Sequence, residues 1–331
     1  MEPFLEVKDL HIGFKTYLGK LNVLNGVDFS VNETEKVGII GESGCGKTTT
    51  MKAILGILAS NAEITGGQIN FRGNQMLKIK KGQLNEIRRK NLTMIFQDPT
   101  AALNPVFRIE EVMRDVIRYS GSFGKEKPTK QLLRKKSIEA LKEVMLPDPE
   151  RVLDSYPFQL SGGMRQRVCI AMSLATAKDL LIADEPTTSL DVTIQDQVLR
   201  LMKDLVNKKN LSIILISHAL GTIRNTVDTV YVMYAGNMIE SAPTEELFTN
   251  PLHPYTQGLL KSVPKLTGEG FSEGIEGRIP DYINPPTGCR FNPRCKLAMD
   301  ICKKESPKLQ ATDSGNHKVA CWLYDKKGEK E

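Results

Sequence analysis

The run Gly41-Glu42-Ser43-Gly44-Cys45-Gly46-Lys47-Thr48 constrains this chain more than any other stretch. It fits the eight-residue phosphate-loop pattern, with both glycines, the lysine and the hydroxyl in place. Each residue type has a physical reason. Glycines let backbone N–H groups curl around phosphate oxygens, the lysine adds a compact positive charge, and the threonine hydroxyl reaches Mg2+. The flanks agree. Residues 37–40 form a short apolar run of buried-strand type, and residues 49–58 read as a helix, which gives the order strand, loop, helix. Gly41, Ser43, Gly44, Cys45, Gly46, Lys47, Thr48 and Thr49 are the candidate phosphate-binding set. Cys45 reads either as a thiol that bound nucleotide would shield or as an inert small side chain.

Strands and helices alternate through the rest of the chain. Residues 5–14 alternate apolar and polar like a half-buried strand, and residues 22–31 repeat the pattern after a turn near Gly19. Further strands are expected at 68–71, 92–96, 180–183, 211–216 and 229–233, with helices at 109–120, 130–145, 164–176 and 191–208. This alternation predicts an α/β sheet covered on both faces, with reactive groups gathered at strand ends. The helical stretch at about 99–178 is expected to stand apart from the sheet as a subdomain. From about Phe248 the composition shifts to Pro and Gly. We expect a cassette over 1–247 and a loop-rich appended domain over 248–331.

Composition excludes some classes. No run of about 18 apolar residues occurs, and the start Met1-Glu2-Pro3-Phe4 lacks the regions of a signal peptide, so a cytosolic protein is expected. The formal net charge is +6, but the clusters Lys78-Ile79-Lys80-Lys81, Arg134-Lys135-Lys136 and Lys326-Lys327 read as solvated faces rather than a nucleic-acid patch.

Asp184-Glu185 closes a strongly apolar strand and supplies a second part of a nucleotide machine, one carboxylate near Mg2+ and the next placed to polarise water. Upstream lies Leu160-Ser161-Gly162-Gly163-Met164-Arg165-Gln166, which resembles the signature motif of ATP-binding cassette (ABC) ATPases. Gln97 sits in the context Phe96-Gln97-Asp98-Pro99 of a Q-loop, Ser189-Leu190-Asp191 resembles a D-loop, and His218 occupies the switch position. The resemblance covers about residues 5–245. It implies a P-loop NTPase cassette with a RecA-like core, an antiparallel β subdomain and a helical subdomain.

The resemblance also implies roles. Lys47 and the loop N–H groups would hold the β- and γ-phosphates of ATP. Thr48, Gln97 and Asp184 would serve Mg2+, Glu185 would be the general base, and His218 would hold the γ-phosphate and the nucleophile in register. Phe14 sits where the family stacks an aromatic on adenine, with Tyr17 as competitor. Ser161, Gly162 and Gly163 would face the nucleotide of a second cassette, since a helix opening offers N–H groups to an anion, and Asp191 of the D-loop is a further candidate nucleotide-binding residue. Two departures stand out: Ala219 follows His218 where many relatives carry Asp, and Met164 replaces the commoner glutamine.

The stretches 184–193, 233–236 and Pro251-Leu252-His253-Pro254-Tyr255-Thr256 are similar to the oligopeptide and dipeptide importer subfamily, and specifically to the first of its two ATPases. This implies a second ATPase subunit in a heterodimer, two transmembrane permease subunits, an extracytoplasmic substrate-binding protein, and a peripheral place on the cytoplasmic face of the membrane. Relatives also move nickel complexes or oligosaccharides, so cargo stays open. The rival reading is a soluble cassette acting on nucleic acid or ribosomes. The interval between Lys47 and Asp184 leaves no room for a long coiled coil, and only one phosphate loop is present.

Four of six cysteines crowd the C-terminal region as Cys289, Cys295, Cys302 and Cys321, separated by 5, 6 and 18 residues. Spacing alone leaves an iron–sulfur cluster, zinc and free thiols as alternatives. The subfamily resemblance favours a [4Fe–4S] cluster acting as a staple in a segment short of apolar core.

Overall fold

A computed structural model describes residues 3–120, 123, 127–187, 190, 192–262, 274–312 and 315–325. They fall into two compact units, one built from the N-terminal segments to residue 78 together with residues from 218 onward, the other from 33–35 and 79–217.

The first unit begins with an antiparallel sheet. Leu5–Thr16 lies between Gly19–Val31 and Ala62–Phe71, and the short Asn74–Gln75 adds an edge. Leu5, Val7, Leu10 and Ile12 are buried, as the alternation predicts, but the register slips between Val7 and Leu10. At that bulge Asp9 takes a positive φ of 47° and its N–H donates to the Asp28 carboxylate at 2.9 Å. The bulge resets which face points inward, so one strand keeps its apolar side on the core across the break.

Lys36–Ile40 in the same unit pairs in parallel with Thr229–Tyr234. Val37, Ile39 and Ile40 are fully buried, the pattern of a strand covered on both faces. A turn at Ala235-Gly236 returns the chain along Asn237–Pro243, and the short strands Lys318–Val319 and Gln310–Ala311 continue this sheet antiparallel. The C-terminal segment therefore joins the core of this unit. Tyr234, Tyr255 and Phe291 meet with ring centroids 4.6, 5.1 and 5.5 Å apart, which supplies apolar burial that the Pro- and Gly-rich sequence conceals.

Three parallel strands in the order Ser212–Ile216, Leu180–Asp184, Leu92–Ile95 centre the second unit. Its helical part includes Ile109–Tyr119 and Lys130–Glu143, which pack on each other and on Gly162–Thr176. Met113, Ile117, Leu133 and Leu141 are buried between them. Arg134, in one of the basic clusters, bridges Glu110 and Asp154, so its charge holds helices together. Lys326 and Lys327 lie outside the described residues. No helix among the described residues is long and apolar enough to cross a membrane.

Candidate functional site

In the phosphate loop, backbone shape explains the glycines. Gly41 has φ of 150° and Gly46 of 111°; a Cβ on Gly41 would stand 2.1 Å from the Met233 carbonyl oxygen, and one on Gly46 would stand 2.6 Å from Leu24 Cδ2. Neither position admits a side chain. Gly46 caps the helix Lys47–Leu55, whose first N–H groups therefore open onto the loop. Lys47 is buried and its Nζ donates to the carbonyls of Gly41 and Glu42 at 2.8 and 3.0 Å, folding the cation back over the loop. Ser43 and Gly44 are exposed, and Thr48 and Thr49 half-buried. The Cys45 thiol is fully buried, and burial pushes its pKa up against the opposing pull of Lys47, which favours the inert reading of this cysteine.

The second unit carries the carboxylates. Asp184 ends the strand Leu180–Asp184 and is buried. Glu185 follows in a left-handed conformation with φ of 48°, a strained state for a non-glycine residue, and its N–H donates to the Ile216 carbonyl at 2.9 Å. This turn aims the carboxylate at Gln97, whose Nε2 donates to Glu185 Oε2 at 2.9 Å. Gln166, named only as the end of the signature motif, and Gln195, which the sequence did not flag, hold the next stretch. Gln166, buried, donates to the Pro186 carbonyl, and Gln195 donates to the carbonyls of Thr187 and Leu190 at 2.9 and 2.8 Å. Asp191 and Ser189 lie outside the described residues.

Ser161 caps the 15-residue helix Gly162–Thr176, its Oγ accepting from the Met164 N–H at 3.3 Å. Gly162 has open space where a Cβ would be, so the helix opening is accessible to a ligand. His218 is exposed in the first unit. Ala219 stands at the N-cap of Leu220–Thr226, where no side-chain cap forms; an Asp here would supply one. Phe14 is half-buried on its strand, whereas Tyr17 is 96% exposed at the hairpin tip.

In the C-terminal segment Cys289, Cys295, Cys302 and Cys321 line one cavity of about 20 Å³, together with Phe291, Pro307 and Trp322. The Cys289 N–H donates to the Cys302 carbonyl at 2.8 Å, which draws two of the loops together. Burial pushes the thiols of Cys289 and Cys295 up, and that of Cys321 to about 11. All four are free, and among the described residues no group of three or more His, Cys, Asp or Glu side chains stands at metal-holding geometry.

Comparison with known proteins defines the class. The ABC transporter family matches residues 24–188, and the oligopeptide/dipeptide transporter C-terminal region matches residues 239–302. The chain is similar to an ATP-binding cassette dimer in a post-hydrolysis state bound to ADP and Pi, with a TM-score of 0.64 and 24% identity over 72% of this chain and 98% of that one. A component of the ABC transporter complex cbiONQ from Clostridium perfringens gives a TM-score of 0.62 at 25% identity, over 76% and 92% of the two chains. The fold is that of the ABC cassette.

Relatives resolve the family further. The dipeptide transport ATP-binding protein DppD of Bacillus subtilis is 42% identical over 99% of this chain and 97% of its own length. The oligopeptide transport ATP-binding protein AppD of the same organism is 42% identical over 100% of both, and OppD of Haemophilus influenzae 40% over 99% of both. The chain belongs to the family of ABC transporter ATP-binding subunits that carry the oligopeptide/dipeptide transporter C-terminal region.

Proposed function

We propose that this chain is the ATP-hydrolysing subunit of a peptide importer, turning ATP binding and hydrolysis into closing and reopening of a cassette dimer on two permease subunits. The observation that carries the reading is full-length similarity to dipeptide and oligopeptide transport ATP-binding proteins, extension included. The dimer pairs this chain with a second ATPase subunit at the cytoplasmic face of the membrane, and an extracytoplasmic binding protein delivers cargo. In domain terms, residues 1–247 are the cassette and 248–331 the extension.

The site roles follow from chemistry. Lys47 and the loop N–H groups bind the β- and γ-phosphates. Thr48, Gln97 and Asp184 offer hydroxyl, amide and carboxylate oxygens, the hard donors that Mg2+ selects, and the ion would neutralise phosphate charge. Glu185 takes the proton from the attacking water, with Gln97 holding its carboxylate, and His218 orders the γ-phosphate. Phe14 stacks on adenine. Ser161, Gly162 and Gly163 present an open helix end to the partner's ATP, so each γ-phosphate is gripped from both sides and its loss releases the clamp.

For the C-terminal thiols the donor set suits a [4Fe–4S] cluster in kind and number, since Cys289, Cys295, Cys302 and Cys321 share one cavity. A bound cluster would tie four loop segments at one point. The Cys289–Cys302 backbone bond already links two of those segments, and Phe291 lines the same cavity.

Reconstitution with permease subunits and a binding protein of a peptide importer tests the reading. ATP-dependent uptake of labelled di- and oligopeptides is expected. Uptake of nickel complexes or oligosaccharides without peptide uptake would redirect the cargo, and co-purification with ribosomes or DNA instead of membrane subunits would overturn the transport role.

A further inference from the structure

Three side chains from beyond residue 250 end on the phosphate loop. Arg294 meets Glu42 with both terminal nitrogens, Nη1 donating to Oε2 at 2.8 Å and Nη2 to Oε1 at 3.0 Å. The Tyr255 hydroxyl accepts the Glu42 N–H at 2.9 Å, and the Tyr282 hydroxyl donates to the Gly44 carbonyl at 2.7 Å. The arginine is itself anchored. Its Nε donates to the Glu276 carbonyl at 2.8 Å, Nη2 to the Ile275 carbonyl at 3.0 Å and Nη1 to the Tyr234 hydroxyl at 3.3 Å. Its side chain is only 5% exposed, against 28% for Glu42.

Glu42 is the one acidic residue between Gly41 and Thr48. A carboxylate inside a loop shaped for phosphate repels the anion the loop must bind, unless a cation cancels it or turns it aside. The bidentate fork does both, because it occupies one position on each carboxylate oxygen and fixes the plane of the group.

We propose that Arg294 is a positioning residue of the nucleotide site: it masks the charge of Glu42 and holds that carboxylate off the phosphates of ATP. The inference rests on Gly41–Thr48 being the phosphate site. It makes the C-terminal extension a working part of nucleotide binding, with the arginine delivered from the residue next to Cys295. A purely architectural Arg294, one that only pins the extension, would have a different signature, since removing Glu42 as well could not repair its loss.

The test titrates the full chain with a fluorescent ATP analogue and Mg2+, alongside thermal melting. Arg294→Gln is expected to weaken binding about tenfold, the scale of one uncancelled charge near a partly solvated site. Adding Glu42→Gln to it should restore affinity to within about twofold of the parent, because the repelling carboxylate is gone. The Arg294→Gln defect should also shrink as salt rises, since Glu42 is partly exposed and screened. A double variant as weak as Arg294→Gln alone overturns the proposal. Should Arg294→Gln not fold, Arg294→Lys with and without Glu42→Gln decides: affinity lost in a folded Arg294→Lys is expected to return to within about twofold of the parent when Glu42→Gln is added, and a loss that Glu42→Gln does not repair overturns charge masking. Lys47→Ala separates the two layers of the argument. Normal binding by that variant removes the phosphate-loop reading itself, whereas weak binding without rescue at Glu42 removes only the role of Arg294.

Discussion

Gln97 donates its side-chain amide to the Glu185 carboxylate at 2.9 Å, while the Glu185 backbone sits in the left-handed region. A strained backbone and the Gln97 amide both contribute to where this carboxylate points. A general base held this way loses its function when it loses its charge. Glu185→Gln should therefore keep nucleotide binding and lose steady-state hydrolysis by at least about 10²-fold, as expected for removal of a positioned base. Hydrolysis within a few fold of the parent would remove Glu185 from that role. Gln97→Ala, which removes that amide donor without discharging the carboxylate, should give a smaller loss.

Lys47 behaves differently, since its Nζ lies on the Gly41 and Glu42 carbonyls and caps the loop from within. Those carbonyls fix the cation beside the loop, and its hydrogen bonds can pass to an anion bound there. Lys47→Ala should weaken ATP binding at least about tenfold, because a charge-assisted contact to phosphate is lost. Equilibrium titration checks this, and an unchanged affinity would contradict the role.

Features that depend on a few adjacent residues were legible in the sequence. The Gly41–Thr48 loop, the Ser161 cap with its two glycines, and the acid pair at the end of 180–184 each need particular residue types at fixed offsets. The family resemblance followed from these, and the alternation of strands and helices from the apolar runs between them. What was not legible is long-range. Arg294 and Glu42 are 252 positions apart, and neither local pattern announces the other. The strand Asn237–Pro243 escaped because Glu240 and Ser241 are buried beside Met238 and Ile239, so polar residues interrupt an interior run. The helix Lys81–Asn91 has no buried residue and hence no apolar stripe to read. Gln166 and Gln195 act on backbone carbonyls, a use that side-chain chemistry alone does not mark.

His317 predicts a pH dependence. Its Nε2 lies 2.7 Å from Glu240 Oε1 and its Nδ1 3.1 Å from Glu246 Oε1, so a protonated ring donates to a carboxylate on each side. Burial lowers its pKa, but the bonds to Glu240 and Glu246 outweigh that and the net shift is upward. A histidine raised above its unfolded value of about 6.5 contributes stability that is fully present below that value and is lost as pH climbs through the folded pKa. The melting temperature of the parent should thus exceed that of His317→Gln most at mildly acidic pH, with the gap closing toward alkaline pH. A gap that widens as pH rises would show that the ring is neutral in the folded chain. Nearby His253 offers no such switch in this window, since burial drives its pKa down to about 4.

The four C-terminal thiols yield the last prediction. Without metal, the thiols of Cys289, Cys295 and Cys321 stay protonated at neutral pH, because burial raises each above the ordinary thiol range. Ligand binding must therefore release protons, and affinity should fall as pH is lowered. Chain purified without oxygen should carry iron and acid-labile sulfide in equal amounts, about four of each per chain for a [4Fe–4S] cluster. Zinc without sulfide would assign the site to zinc, and a colourless, metal-free but folded protein would leave the thiols as apolar packing around the cavity they share with Phe291 and Trp322. Cys302→Ser is the informative variant, because Cys302 is the most deeply buried of the four and its backbone carbonyl already holds the Cys289 N–H. Loss of metal in that variant together with a lower melting temperature marks a structural staple. Loss of metal with an unchanged melting temperature would separate the cluster from stability altogether.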